Sequence, residues 1–254
     1  MSRYLLRVAY DGTNYHGFQL QQDSSIPTIE GELNKALSAL LKQPVEVIGA
    51  SRTDAGVHAL DSVVVFDAET TIPADKIPYA VNNLLPDDIV VNFGAPVAAD
   101  FHPRHTDTRK RYEYRIYRGN FVNPIRSRYT FNTDYKLNIE DMKVASKALV
   151  GEHDFKSFCS AHTQAVTTVR KIYDIDIIEE GAEIIISVTG AGFLYNMVRI
   201  IAGTLFDVGR GKFSKNDMSV ILEAYDREKA GETLPAQGLT LAQFVFDDYP
   251  ELNR

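Results

Sequence analysis

The spacing of apolar residues in this chain switches between the alternation of a strand and the three-to-four spacing of a helix, and it runs through the same order twice. Residues 4–10 read as a strand, closed by the turn-forming run Asp11-Gly12-Thr13-Asn14. Ile29, Leu33, Ala36, Leu37, Leu40 and Leu41 then fall on one side of a helix. Thr28 fits its N-cap, Glu30 and Glu32 suit the positive end of its dipole, and Pro44 lies just past its end. Strands are predicted at 45–50 and 62–66, a second helix from Pro73 to about Asn83, and a closing strand at 89–93.

The second passage repeats the order. A strand with alternating side chains covers 112–117, and Asn138 caps a helix carrying Met142, Ala145, Leu149 and Val150. Strands follow at 169–178 and 183–189, a helix at 193–208, an extra helix that Ser214 is expected to cap, and a last strand at 239–246. Each passage has the βαββαβ order of a ferredoxin-like unit. The fold class expected is α+β: two such halves related by pseudo-twofold symmetry, joined in one mixed, mainly antiparallel sheet with helices on one face. The domains expected are residues 1–105 and 106–254.

Composition narrows the setting. With 254 residues, 44% hydrophobic and 24% charged, the chain can bury a core without covalent staples. Cys159 is its single cysteine, which excludes an internal disulfide and a cysteine-built zinc cage, and no metal is expected. The first residues hold Arg3 and Arg7 within their apolar run and lack the pattern of a secretory signal, and no apolar run is long enough to span a bilayer. A cytoplasmic setting without membrane contact is expected. The net charge of −7 is uneven. Between 103 and 128, Arg104, Arg109, Lys110, Arg111, Arg115, Arg118, Arg126 and Arg128 face only Asp107 and Glu113, a local balance of +6. Such a stripe fits a phosphate-binding face, and it fits a solvated arginine-rich strand equally well.

One segment stands apart in chemistry. Ser51-Arg52-Thr53-Asp54-Ala55-Gly56-Val57-His58-Ala59 is polar, carries both charge signs, and sits between two apolar strands. Loops held by strands commonly carry reactive groups. On local pattern alone Asp54 also fits an Asx-type turn, Arg52 a surface ion pair, and His58 a hydrogen-bonded structural histidine. His102 and His105 sit three apart, but no carboxylate or cysteine pattern around them suggests a metal.

With Ala50 in front, the segment closely resembles the signature A-G-R-T-D-A-G-V-H-A of the tRNA pseudouridine synthase A family, Ser51 standing where glycine is usual. The resemblance runs through nearly the whole chain. It includes Tyr10-Asp11-Gly12-Thr13-Asn14-Tyr15-His16-Gly17-Phe18-Gln19, with Phe18 in place of the usual tryptophan, and Asn83-Leu84-Leu85-Pro86-Asp87-Asp88-Ile89. It continues through Phe101-His102-Pro103-Arg104, Lys110-Arg111-Tyr112-Glu113-Tyr114, residues 193–203 and Pro235-Ala236-Gln237-Gly238-Leu239. Several blocks in the right order are more specific than any one alone.

The resemblance implies an isomerase that detaches uracil from its ribose in tRNA and reattaches it through carbon, without a cofactor, in the anticodon stem-loop. It implies Asp54 as nucleophile, since a carboxylate can form a covalent intermediate and later leave. Addition to the base, addition to the sugar and assisted elimination all fit. It implies Arg199 as the ionic partner of Asp54 and Tyr112 as the ring that stacks on the target uracil. By residue pattern alone, Arg199 is a polar position opposite the stripe Leu194, Met197, Val198, Ile201 and Leu205, and Tyr112 an ordinary strand aromatic. Arg52, His58, Arg109, Lys110 and Arg111 are expected to contact or position RNA, and the protein is expected to be a homodimer. The competing readings are an RNA chaperone without catalysis and a carboxylate-dependent hydrolase, for which Glu113 and Asp107 are weak second groups.

Overall fold

Arg7 is a charged residue in the middle of an apolar strand, and its side chain is 0% exposed. A guanidinium removed from water needs acceptors for its donors, and tracing them describes the first half of the molecule. In the computed structural model, which describes residues 1–23, 25–160 and 165–253, the chain forms two compact units. One is Met1–Thr108 with Leu241–Arg254, and the other is Arg109–Thr240. The fold is α+β, with mixed, mainly antiparallel β-structure.

In the first unit, β1 (Ser2–Tyr10) lies between β3 (His58–Ala68) and β4 (Ile89–Val97), antiparallel to both. The short β2 (Ile48–Gly49) pairs with β3, and β3 also neighbours β10 (Leu239–Phe246). Arg7 Nη1 donates to both carboxylate oxygens of Asp61 on β3, at 2.5 and 2.6 Å, and to Phe244 O at 3.0 Å. Arg7 Nε donates to Leu252 O at 2.9 Å. Asp61 in turn accepts the Phe244 amide at 2.9 Å. The last strand and the tail are therefore fastened to the first unit. Residues 241–254 accordingly group with 1–108.

The helix α1 (Ile29–Leu41) starts as its cap predicts, with the Gly31 amide donating to Thr28 Oγ1 at 3.2 Å. It buries Ile29, Leu33, Ala36 and Leu37. The strand expected at 45–50 is cut to two residues. The Val45 and Val47 amides donate to Ser38 Oγ and Asn34 Oδ1 of α1, so helix side chains take the bonds a ladder would have used. The helix expected from Pro73 is a 3-10 turn followed by α2 (Ile77–Val81).

In the second unit the strand order is β5 (Thr108–Arg118), β9 (Glu183–Gly190), β8 (Val169–Glu180) and β7 (Gly151–Asp154). The short β6 (Phe131–Thr133) runs parallel to β5. Neither β6 nor β7 is legible in the spacing of apolar residues. Tyr112, Tyr114 and Ile116 of β5 pair with Val188, Ile186 and Ile184 of β9. All six are buried, so this sheet has one apolar face. Asn138 caps α3 (Ile139–Ser146) as expected. The extra helix α5 (Asp217–Glu223) begins after Asn216, and Ser214 does not cap it. Ser214 instead receives the Asn216 amide on its hydroxyl and donates its own amide to Asp217.

Replacing Arg7 by alanine leaves the half-buried Asp61 without its guanidinium partner and removes the ties to Phe244 O and Leu252 O. We expect a loss of about 3–5 kcal/mol of stability, read from denaturant unfolding, with faster amide exchange concentrated in 241–253. Exchange that rises evenly over the chain would contradict the fastening role.

Candidate active site

The loop bearing Asp54 is held by backbone from the opposite loop. The Phe18 amide donates to Thr53 O at 3.0 Å, and the Gly56 amide to Tyr15 O at 3.3 Å. Within the loop, Val57 N–H donates to Asp54 O at 3.1 Å. That closes a four-residue turn whose third residue, Gly56, has φ +76°, a conformation glycine adopts without strain. Two more glycines permit the approach. A Cβ on Gly12 would lie 2.1 Å from Val57 O, and one on Gly17, at φ +94°, would lie 2.9 Å from Thr53 O.

Side chains lock the same loop. The Tyr10 hydroxyl and Thr53 Oγ1 share a hydrogen bond of 2.8 Å, both buried. Burial pushes the Tyr10 phenol up to about 12, so it stays neutral and able to donate. His58, 3% exposed, accepts the Gly12 amide on Nδ1 at 3.0 Å. Asp11 Oδ1, 3.1 Å from Nδ1, takes the Thr13 amide and hydroxyl. His58 thus ties the Gly12 loop to the start of β3. Asp54 itself is half-buried and Arg52 is exposed.

Ser51 does not need the freedom of the glycine it replaces. It is absent from the positive-φ residues, which outside glycine are Lys42, Asn196 and Tyr225. Its hydroxyl is buried and has no hydrogen-bond partner among the described residues. Phe18 is also accommodated. It is 1% exposed and lies where a Cβ on Gly49 would be, at 2.3 Å from its ring.

In the second unit Tyr112 is buried to 9% exposure, with its ring edge-on to Phe193 at 5.2 Å between centroids. Arg199 lies on α4 (Met197–Gly209), where every other residue is buried, so this helix is not two-faced as its apolar stripe suggests. Its side chain is oriented from two sides. Nε donates to Leu234 O at 2.7 Å, and Nη1 to Asn196 Oδ1 at 2.8 Å. Asn196, the left-handed residue just before the helix, donates onward to Ser160 Oγ at 2.9 Å. Neither Leu234 nor Asn196 carries a local signal for this task. Burial pushes the Tyr114 phenol well above its ordinary value, and the charge of Arg199 opposes this only in part.

The arginine stripe is less positive than its sequence. Arg115 reaches Glu113 at 2.8 Å and Glu183 at 3.3 Å, Arg126 also pairs with Glu183, and Arg118 pairs with Glu179 at 2.6 Å. Arg126 and Arg115 hold the Glu183 carboxyl below the usual glutamate range. Arg111 lies 3.7 Å from Glu113. Arg109 lies over the Tyr173 ring, and Lys110 is half-buried beside it on β5. His102 and His105 stack at 4.0 Å, and His102 Nδ1 accepts the Arg104 amide. Among the described residues no three His, Cys, Asp or Glu side chains gather in a metal-binding group, and no helix is long and apolar enough to cross a membrane.

A family profile described as tRNA pseudouridine synthase matches residues 7–105 and 145–247. The tRNA pseudouridine synthase A of Thermoanaerobacter sp. (strain X514) is 45% identical over 246 residues, which is 97% of this chain and 100% of that protein. The protein of the same name from Bacillus subtilis (strain 168) is 44% identical over 244 residues, covering 95% of this chain and 98% of its own.

The packing of the loop can be tested without any assay of turnover. A buried hydroxyl lacking a partner costs about 1–3 kcal/mol. Ser51→Ala should therefore raise the melting temperature, by roughly 2–4 °C per kcal/mol regained in a chain of this size. Gly17→Ala should lower it, because a methyl group is forced onto Thr53 O at positive φ. A lower melting temperature for Ser51→Ala would mean the hydroxyl is satisfied.

Proposed function

The chain belongs to the tRNA pseudouridine synthase family, and from that premise we propose that it isomerises uridine to pseudouridine in tRNA with Asp54 as the nucleophile. The observation that carries the reading is the loop itself. Asp54 opens a tight turn clamped by Tyr10, Gly12, Gly17 and His58, so its carboxylate is carried on backbone that has little freedom to move. Such preorganisation lowers the cost of reaching a reactive geometry.

The step asked of Asp54 is nucleophilic. A carboxylate oxygen adds to the uridine, the glycosidic bond breaks, the base turns within the site, and the new bond forms from carbon as the carboxylate leaves. The proton released from that carbon passes to the ring nitrogen or to water, so no redox partner or cofactor is called for. Arg199 is assigned as the ionic partner of Asp54. Its two fixed donor contacts, to Leu234 O and Asn196 Oδ1, support a rigid charge over a mobile one. Tyr112 is assigned as the stacking ring, its plane steadied by Phe193. Arg52, Arg109, Lys110 and Arg111 are assigned to the RNA backbone, and His58 to positioning the loop. The target region proposed is the anticodon stem-loop, the active form a homodimer, and the setting the cytoplasm.

Asp54→Asn in the full chain should lower pseudouridine formation by at least about 10³-fold while tRNA is still bound. Arg199→Met should cost about 10²–10³-fold in kcat, the loss seen when one fixed charge-stabilising group is removed. Tyr112→Leu should remove about 1–3 kcal/mol of base stacking, which Tyr112→Phe retains. Mass-spectrometric mapping of pseudouridine in treated tRNA gives the readout. Product formed by Asp54→Asn at the rate of the unaltered protein would sink the nucleophile assignment.

A further inference from the structure

The strand β8 carries a bulge that places a half-buried aromatic ring beside two cations. Ile172 pairs with Gly190 of β9, and the next pair is Asp174 with Thr189, so Tyr173 is an extra residue in the ladder. Without it, Asp174 would follow the alternation onto the same side as Ile172, which is buried at 1% exposure. With it, Tyr173 and Asp174 both reach the polar side of the sheet, where Arg109, Arg111 and Glu113 of β5 also lie. A bulge gives up ladder bonds to re-aim a side chain, and such bulges gather beside functional sites.

Two cations converge on the re-aimed ring. Arg109 Cζ lies 5.2 Å from its centroid and Lys171 Nζ lies 5.4 Å from it. The ring quadrupole attracts each of them. Both groups are cationic, and the exposed Asp174 follows the ring in the chain. A phosphate oxygen is a charge-assisted acceptor for a guanidinium and an ammonium alike. The place is also structurally fixed. Ala191 N–H donates to Lys171 O at 3.1 Å, joining the bulge to the end of β9 a few residues before Phe193 and Arg199.

We propose that Arg109, Lys171 and Tyr173 form a docking point for one phosphodiester of the tRNA backbone, the ring holding the two cations apart and in place. The basic stripe of the sequence already includes Arg109, whereas Lys171 and Tyr173 enter through the bulge alone. The inference rests on tRNA being the substrate, and it is independent of which residue does the chemistry.

The test uses the full chain and unmodified tRNA transcript, with affinity measured over a tenfold range of potassium chloride and turnover measured on the same samples. Removing one ionic tie to a phosphate lowers the slope of log affinity against log salt by about one. Lys171→Gln, an exposed change, should show that drop with KM raised severalfold and kcat unchanged. Tyr173→Leu should do the same, because both cations lose their ring, and Tyr173→Phe should behave as the unaltered protein. Slopes and KM unchanged in Lys171→Gln and Tyr173→Leu would overturn the inference. So would a fall in kcat with KM intact, which marks a structural role. Should the unaltered protein bind tRNA but form no pseudouridine, the proposed activity fails while the salt slopes still decide this site.

Discussion

A single guanidinium without access to water organises the first unit. Arg7 cannot be buried unless every direction around it offers an acceptor, and those acceptors come from Asp61 on β3, Phe244 on β10 and Leu252 in the tail. Burying such a charge is costly, and losing one partner would strand the rest. The arrangement therefore fixes where the tail and the last strand go, and it fixes β3 against β1. The apolar side chains around it, among them Leu5, Val63, Phe244 and Phe246, then pack on a frame whose register is already set.

The same two strands deliver the candidate nucleophile. Tyr10 closes β1 and grips Thr53, while His58 opens β3 and grips Gly12. The Asp54 turn hangs between those two grips, pressed by the backbone at Gly17. Stability and function draw on one set of contacts here. Nothing in the loop moves without disturbing a strand that also holds the buried ion pair.

Much of this can be read from residue order, and the exceptions have physical reasons. Caps at Thr28 and Asn138 are legible because their partners lie three residues away. The carboxylate loop is legible because its composition breaks so sharply with the strands around it. The arginine stripe reads as more positive than it is, since Glu179 and Glu183 arrive from other strands some 60 residues on. Residues 45–47 look like a strand and are not, because their amides find acceptors on α1 first. The stripe on α4 suggests a two-faced helix. The chain instead buries it on all sides and leaves Arg199 as the one residue not buried. The bulge at Tyr173 leaves no trace in composition, and the role of Leu234 is played by a backbone carbonyl, to which its side chain gives no clue.

The discontinuous path of the first unit bears on how the protein is made. Residues 109–240 are one uninterrupted stretch and leave the ribosome as a set, free to fold as domains generally do during synthesis. The first unit, begun earlier, waits for the last fourteen residues before Arg7 finds Phe244 and Leu252. Until then Arg7 has Asp61 alone as its partner, and two of its backbone acceptors are still to be made.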